Sequence, residues 1–382
     1  MTDMAVDSLD VLRRRTSAKW RTYPGDVLPM FVAEMDFPLA PPVARAMIKR
    51  IEASDVGYVA GPGPVGPAFA GFAERRWNWE VDPEDVRTTT DVSVAIVETL
   101  RQVITAGDEV VITPPVYPPF FDLPVEAGGK VREVPLLQDD AGWFLDLNGL
   151  EAAFAAGARA LLLCNPHNPL GLVHPKETLG AVARLAARYG VTVVSDEIHA
   201  PLVYSPETFT PFLSVSDDAR AHGVCVTAAS KGWNIAGSKC ALMIASAPET
   251  RLLMDEMPEE VGFRTSILGL HGTAAAYAEG DAWLDGVLTV LASNRELLRE
   301  LLAAELPGTR YRMPDASYLA WLDLRPLGWG TDPAEHALAK ARVALEPGLK
   351  FGSAGAGHAR LNFGCAPEVL EEAIHRLSAA RV

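Results

Sequence analysis

From about residue 94 the chain alternates between stretches whose apolar residues recur at helical spacing and short runs rich in valine, isoleucine and leucine. The runs fall at 109–113, 159–164, 191–195, 223–227 and 240–245, and they are apolar on both faces instead of alternating apolar with polar. Strands of that kind are covered by helices on each side, so the pattern predicts an α/β fold with a largely parallel sheet. A helix is expected over 96–105. A long amphipathic one is expected over 283–302, WLDGVLTVLASNRELLRELL, leaving the large domain. Beyond it, short strands at 310–311, 318–323 and 360–363 and two helical patterns predict a smaller α+β domain. The expected division is a large domain over residues 46–284 and a small domain built from residues 1–45 and 285–382. No internal repeat or low-complexity tract breaks the pattern.

A chain of 382 residues exceeds the usual single-core size, which agrees with two domains. Apolar residues make up 49% and charged ones 22%, far from a disordered profile. The net charge of −15 repels polynucleotides and anionic membrane surfaces, so no nucleic-acid partner is expected. No stretch of ~18 apolar residues could span a membrane. The opening MTDMAVDSLDVLRRR has no apolar signal core, and a cytoplasmic location is expected. The four cysteines, Cys164, Cys225, Cys240 and Cys365, lack C-x-x-C spacing, and the first three lie in strand-like runs. They read as buried free thiols, and no metal is expected.

Ligands of parallel sheets bind at the loops beyond the C-terminal strand ends, and those loops hold the unusual residues. TPPVYPPF follows the first run, NPHNPLG the second, DEIHAPLVY the third and ASKGWNIAGSK the fourth. Proline and glycine fix the backbone there, which suits a rigid site. Lys231 sits among small neighbours; a desolvated amine can condense with an aldehyde cofactor and later take a proton from a substrate α-carbon. Taken alone it reads as a surface lysine. Asp196 is either a helix cap or the ionised partner of a pyridinium nitrogen, and pairing it with Lys231 favours the second. Asn168, in the second of two Asn-Pro pairs within five residues, could be a turn residue or donate its amide to a phenolic oxygen.

Tyr117 has a planar face that could stack on an aromatic cofactor. Arg360 offers a fork for a substrate carboxylate, with a solvated ion pair as the plainer alternative. Over 90–95, TDVSVA precedes a helical pattern, so the backbone N–H groups of Ser93, Val94 and Ala95 could bind a phosphate, with Thr227, Ser230 and Lys239 completing the cup. An N-cap is compatible with that. His199, Tyr204 and Trp233 are candidates to line a side-chain pocket.

These motifs, in this order over essentially the whole chain, resemble the class I/II pyridoxal-phosphate (PLP) dependent aminotransferases, whose fold is PLP fold type I. FVAEMDFPLAPP, Val56-Gly57-Tyr58, TPPVYPPF, CNPHNPLG, VSDEIHAPLVY and SKGWNIAGSK look most like the cystathionine β-lyase or C–S lyase branch. The resemblance implies PLP as cofactor, Lys231 as the Schiff-base lysine, Asp196 as the pyridine-nitrogen partner, Asn168 as donor to the ring oxygen, Tyr117 as stacking residue and Arg360 as carboxylate anchor. It puts Lys239 where many relatives carry a phosphate-binding arginine, and His199 where aspartate-aminotransferase-like members carry a tyrosine. It also implies an obligate homodimer in which Tyr58 enters the neighbouring subunit's site. Four positions depart from the usual pattern: Asp91 stands at a common glycine, Ala228 at a phosphate-binding serine, Pro201 at an aspartate and Val59 at a threonine. The expected reaction is β-elimination of a thiol from a cysteine-derived amino acid, giving pyruvate and ammonia. Transamination, which shares the early steps, and a PLP-containing regulatory protein are the rivals.

Overall fold

The computed structural model describes residues 4, 6–140 and 142–381. The chain forms two compact units, one of Leu39–His167 with Val173–Leu284, the other of Met1–Pro38 with Asn168–Leu172 and Asp285–Val382.

The large unit is built on seven strands: β1 (Val86–Thr89), β2 (Glu109–Ile112), β3 (Lys130–Glu133), β4 (Ala160–Cys164), β5 (Thr192–Asp196), β6 (Gly223–Thr227) and β7 (Ala241–Ile244), in the order β1-β7-β6-β5-β4-β2-β3. The stretch from β6 to β3 is parallel throughout. Only β7 runs against its neighbours, pairing antiparallel with β6 and β1. Every residue of β4 and β6 is buried, as their two-faced apolar runs require. Helix Val92–Val103 packs on β5, β6 and β7 through Ala95, Ile96 and Leu100.

Two boundaries differ from expectation. A division at 45/46 would cut helix Pro41–Glu52, which belongs whole to the large unit because it packs along helix Ile267–Glu279, where a Cβ on Gly272 would run into Met47. Asn168–Leu172 belongs to the small unit because the Gly171 carbonyl accepts the N–H groups of Asp315 and Ala316, at 2.9 and 3.0 Å. Gly171 adopts φ +59°, and a Cβ there would collide with Pro314 and the Ala316 carbonyl, so this position requires glycine.

The small unit carries an antiparallel sheet of β8 (Arg310–Tyr311), β9 (Leu319–Asp323), β10 (Glu346–Pro347) and β11 (His358–Asn362), in the order β8-β9-β11-β10. The chain enters it within helix Asp281–Glu305, whose buried Asn294 donates to the carbonyls of Phe363 and Cys365 at 3.0 and 2.8 Å. Lys19 and Asp36, each 1% exposed, form an ion pair at 2.8 Å that anchors the amino-terminal segment. All four cysteines are buried and unbridged. Among the described residues no helix is long and apolar enough to cross a membrane, and no group of three potential metal-ligating side chains occurs.

Candidate active site

In the large unit the candidate residues sit at the C-terminal ends of neighbouring strands. Asp196 is the last residue of β5, in register with Cys164 of β4 and Val226 of β6. It is buried, and that burial pushes its carboxyl up to about 7; the Ile198 N–H, 3.1 Å away, and the positive charge of Lys231 act against the rise. A carboxyl so poised suits a proton shared with a pyridine nitrogen. Lys231 is half-buried on the helical turn Ala229–Gly232 that follows β6. Its neighbour Gly232 lets the turn after Asp196 come close, since a Cβ there would lie 3.1 Å from the Pro201 side chain. His199 is buried just before the turn Ala200–Leu202. Tyr117 is half-buried and meets Phe120 edge-on at 6.0 Å, beside the short turn Pro118–Phe121.

Beneath these residues lies a carboxyl that sequence reasoning did not single out. Glu197, 1% exposed, accepts the Phe212 N–H at 2.8 Å, the Ser195 hydroxyl at 2.9 Å and the Cys225 thiol at 3.3 Å. Its backbone N–H donates to Val226, and its carbonyl accepts the Thr227 hydroxyl at 3.1 Å. Glu197 therefore ties the end of β5 to β6 and to the 210–212 loop. Burial raises its carboxyl to about 7 while the donors oppose the rise. The sequence signal was a second acid directly after Asp196 at the end of an apolar run.

A buried histidine pair was also missed. His167 Nε2 donates to the Thr113 carbonyl at 3.3 Å and His174 Nε2 to the Cys164 carbonyl at 3.1 Å, with the rings 6.0 Å apart and near perpendicular. Burial lowers them to about 3 and about 4, so both are neutral near pH 7 and brace the loops beyond β2 and β4. Their signal was two histidines flanking an Asn-Pro turn.

The expected phosphate cup is partly occupied by the chain itself. Asp91 caps helix Val92–Val103, its Oδ1 accepting the Val94 N–H at 3.1 Å, while its Oδ2 pairs with Lys239 Nζ at 3.2 Å. The Ala95 N–H makes the first intrahelical bond, to the Asp91 carbonyl at 3.0 Å, so it is committed to the helix and corrects the expectation that it would serve a phosphate. The Thr227 hydroxyl is bound to Glu197, and Ser230 is half-buried on the lysine turn. Among the N–H groups that precede the helical ladder, those of Val92 and Ser93 lead the helix end. Trp233 requires a second correction. It is fully buried, donates to the Gly280 carbonyl at 3.2 Å and packs against Phe72 and Tyr277, so it belongs to an aromatic core and lines no pocket. Tyr204 is also buried.

In the small unit, Arg360 lies mid-strand in β11 and is 4% exposed. One guanidinium arm donates to Asn168 Oδ1 at 3.0 Å, another to the Phe31 carbonyl at 2.9 Å, and the group stacks over Phe351 at 5.0 Å. Because arginine only donates, Asn168 must turn its oxygen to it, which leaves the amide NH2 as the donating arm. Asn362 holds the Val32 and Glu34 carbonyls at 2.7 Å each, and Tyr318 donates to Ala33 at 3.0 Å. The FVAEMDF motif thus supplies the wall that aims Arg360. Tyr58, by contrast, is 91% exposed in the large unit.

Taken by chemistry, the donors of the large unit fit a phosphorylated, aldehyde-bearing pyridine ring: a buried acid for the ring nitrogen, an amine, a planar aromatic and a cation near helix-end N–H groups. The comparisons agree. The model of the family described as aminotransferase class I and II matches residues 43–377. A Mycobacterium leprae protein provisionally named a cystathionine β-lyase is 42% identical, covering 100% of this chain and 99% of its own. The cystathionine β-lyase of Corynebacterium glutamicum is 36% identical, covering 98% and 99%. The crystal structure of cystalysin from Treponema denticola, which contains a pyridoxal 5'-phosphate cofactor, superposes with a TM-score of 0.92 at 27% identity over 99% of this chain and 98% of that one. With a family model spanning most of its length and PLP fold type I architecture, the chain belongs to the class I and II aminotransferase family.

Proposed function

We propose that this chain is a PLP-dependent carbon–sulfur β-lyase that cleaves cystathionine-like amino acids to a thiol, pyruvate and ammonia. The observation that carries the reading is its near full-length similarity to the Corynebacterium glutamicum cystathionine β-lyase, joined to a buried strand-end acid and a neighbouring lysine in the large unit. When bound, PLP withdraws electrons from the substrate α-carbon. Asp196 keeps a proton available at the ring nitrogen, and Tyr117 offers its face to the ring. The Asn168 amide donates to the ring oxygen. Arg360 grips the substrate carboxylate with its planar fork, and the Lys231 amine takes the α-proton. The C–S bond then breaks, its electron pair leaves with sulfur, and a proton completes the thiol. The three-carbon remainder leaves as an enamine, which water hydrolyses to pyruvate and ammonia.

The reading extends to assembly. Ile48, Ile51, Val56 and Tyr58 are each more than half exposed, an apolar group on one segment that a second copy would cover, and Tyr58 would then serve the partner's site. Buried unbridged cysteines support a cytoplasmic location. The test is incubation with L-cystathionine without any 2-oxo acid, following thiol and pyruvate together. Equimolar release, lost in Lys231→Ala, supports the lyase. Turnover that begins only when a 2-oxo acid is added replaces it with an aminotransferase.

A further inference from the structure

We propose that Asp91 is a resident carboxylate that competes with the cofactor's phosphate for Lys239 and the Val94 N–H, making the bound cofactor readily exchangeable. The inference rests on the PLP reading above and concerns how that site holds its ligand. Both oxygens of the Asp91 carboxylate are engaged, Oδ1 on the Val94 N–H at 3.1 Å and Oδ2 on Lys239 Nζ at 3.2 Å. These are two of the groups a phosphate would use, so the carboxylate already plays the anion's part. The remaining donors do not make up the difference. The Ala95 N–H is in the helical ladder, the Thr227 hydroxyl donates to the Glu197 carbonyl, and position 228 is an alanine without a hydroxyl. Among the groups of this cup, the Val92 and Ser93 N–H groups and the hydroxyls of Ser93 and Ser230 are left.

Lys239 cannot easily move its backbone to serve both anions. It sits at φ +58°, its carbonyl accepts the Ser266 N–H at 3.0 Å, and the preceding Ser238 carbonyl lies against Gly269 so closely that a Cβ on that glycine would collide with it. Only the ammonium can swing. A phosphate therefore either displaces Asp91, losing the helix cap and the ion pair, or binds beside a like charge. Both routes weaken the phosphate's hold, while the imine to Lys231 is untouched.

The test is a titration of cofactor-stripped protein with PLP and with pyridoxal, read from the absorbance of the lysine-bound cofactor, for wild type and for the Asp91→Asn and Asp91→Gly variants. Asparagine keeps a cap oxygen and removes the charge. The expected result is a PLP dissociation constant lower by on the order of tenfold in both variants, with pyridoxal affinity unchanged. In wild type the expected preference for PLP over pyridoxal is small, less than about a hundredfold. PLP affinity that is unchanged or weaker in the folded variants overturns the inference. Should neither variant fold, the wild-type ratio decides: a large preference for PLP overturns it and a small one supports it. Wild type that binds neither compound overturns the PLP reading itself, and this inference with it.

Discussion

The two units hold their functional side chains in opposite ways. In the large unit Asp196 and Lys231 occupy strand ends and the turns just past them, where apolar strands deliver polar residues to an edge, and their support is local: Ile198, Glu197, Thr227 and Pro201 all lie within about 35 residues. In the small unit Arg360 sits in the middle of a buried strand and is aimed by partners 192 and 329 residues away, Asn168 and Phe31. A group at an edge can be placed by its own turn. A cation in a buried strand needs its carbonyls and amides assembled from across the chain, because each unpaired donor there carries a desolvation cost.

The largest effect that would break this comparison is at the edge. Lys231→Ala is expected to lower kcat by more than ~10³-fold, since it removes both the cofactor's attachment and the base; steady-state pyruvate release measures it. Next comes the mid-strand cation. Arg360→Lys keeps the charge but loses the fork, and kcat/KM for cystathionine is expected to fall by roughly 10²-fold; a double variant with Asn168→Ala that loses less than the product of the two single losses would show that the two act as a pair. Glu197→Leu is expected to lower the unfolding free energy by about 2–3 kcal/mol, because the Phe212 N–H and Ser195 hydroxyl lose their acceptor; Glu197→Gln should recover most of it in denaturant titrations.

The last test is a pH dependence with opposite signs for the buried acids and the buried bases. Asp196 is raised from 3.8 to about 7 in the cofactor-free fold, so the native state binds more protons than the unfolded chain between those values. Its contribution to stability therefore declines as pH rises from about 4 to about 7, and Asp196→Asn should make cofactor-free protein melt higher than wild type at pH 8. His167 and His174 are lowered from 6.5 to about 3 and about 4. Their contribution is present above 6.5 and lost as pH falls toward those values, so His174→Gln should unfold at lower pH than wild type in an acid titration.

The same contrast explains what the sequence made legible. Five of the seven strands of the large sheet could be read because two-faced apolar runs have few other uses, whereas β1 and the largely exposed edge strand β3 carry no such run and were not; Asp196 and Lys231 could be read because a polar residue ending such a run is conspicuous. The partners of Arg360 were not legible, since nothing local links Phe31 or Asn168 to it. Two backbone commitments were also invisible: Ala95 gave its N–H to the helix, and Trp233, beside the lysine turn, went to the aromatic core instead of a pocket. Asp91 stood out only as a departure, and its grip on both Val94 and Lys239 depends on a helix start and a left-handed turn 148 residues apart.

Everything assigned to the large unit depends on Lys231 being the residue that carries the cofactor. Borohydride reduction of the PLP-loaded protein, followed by peptide mapping, tests this directly. The account predicts one pyridoxyl group per chain, fixed on Lys231, whereas modification at Lys239 or at any other lysine, with Lys231 unmodified, would contradict it.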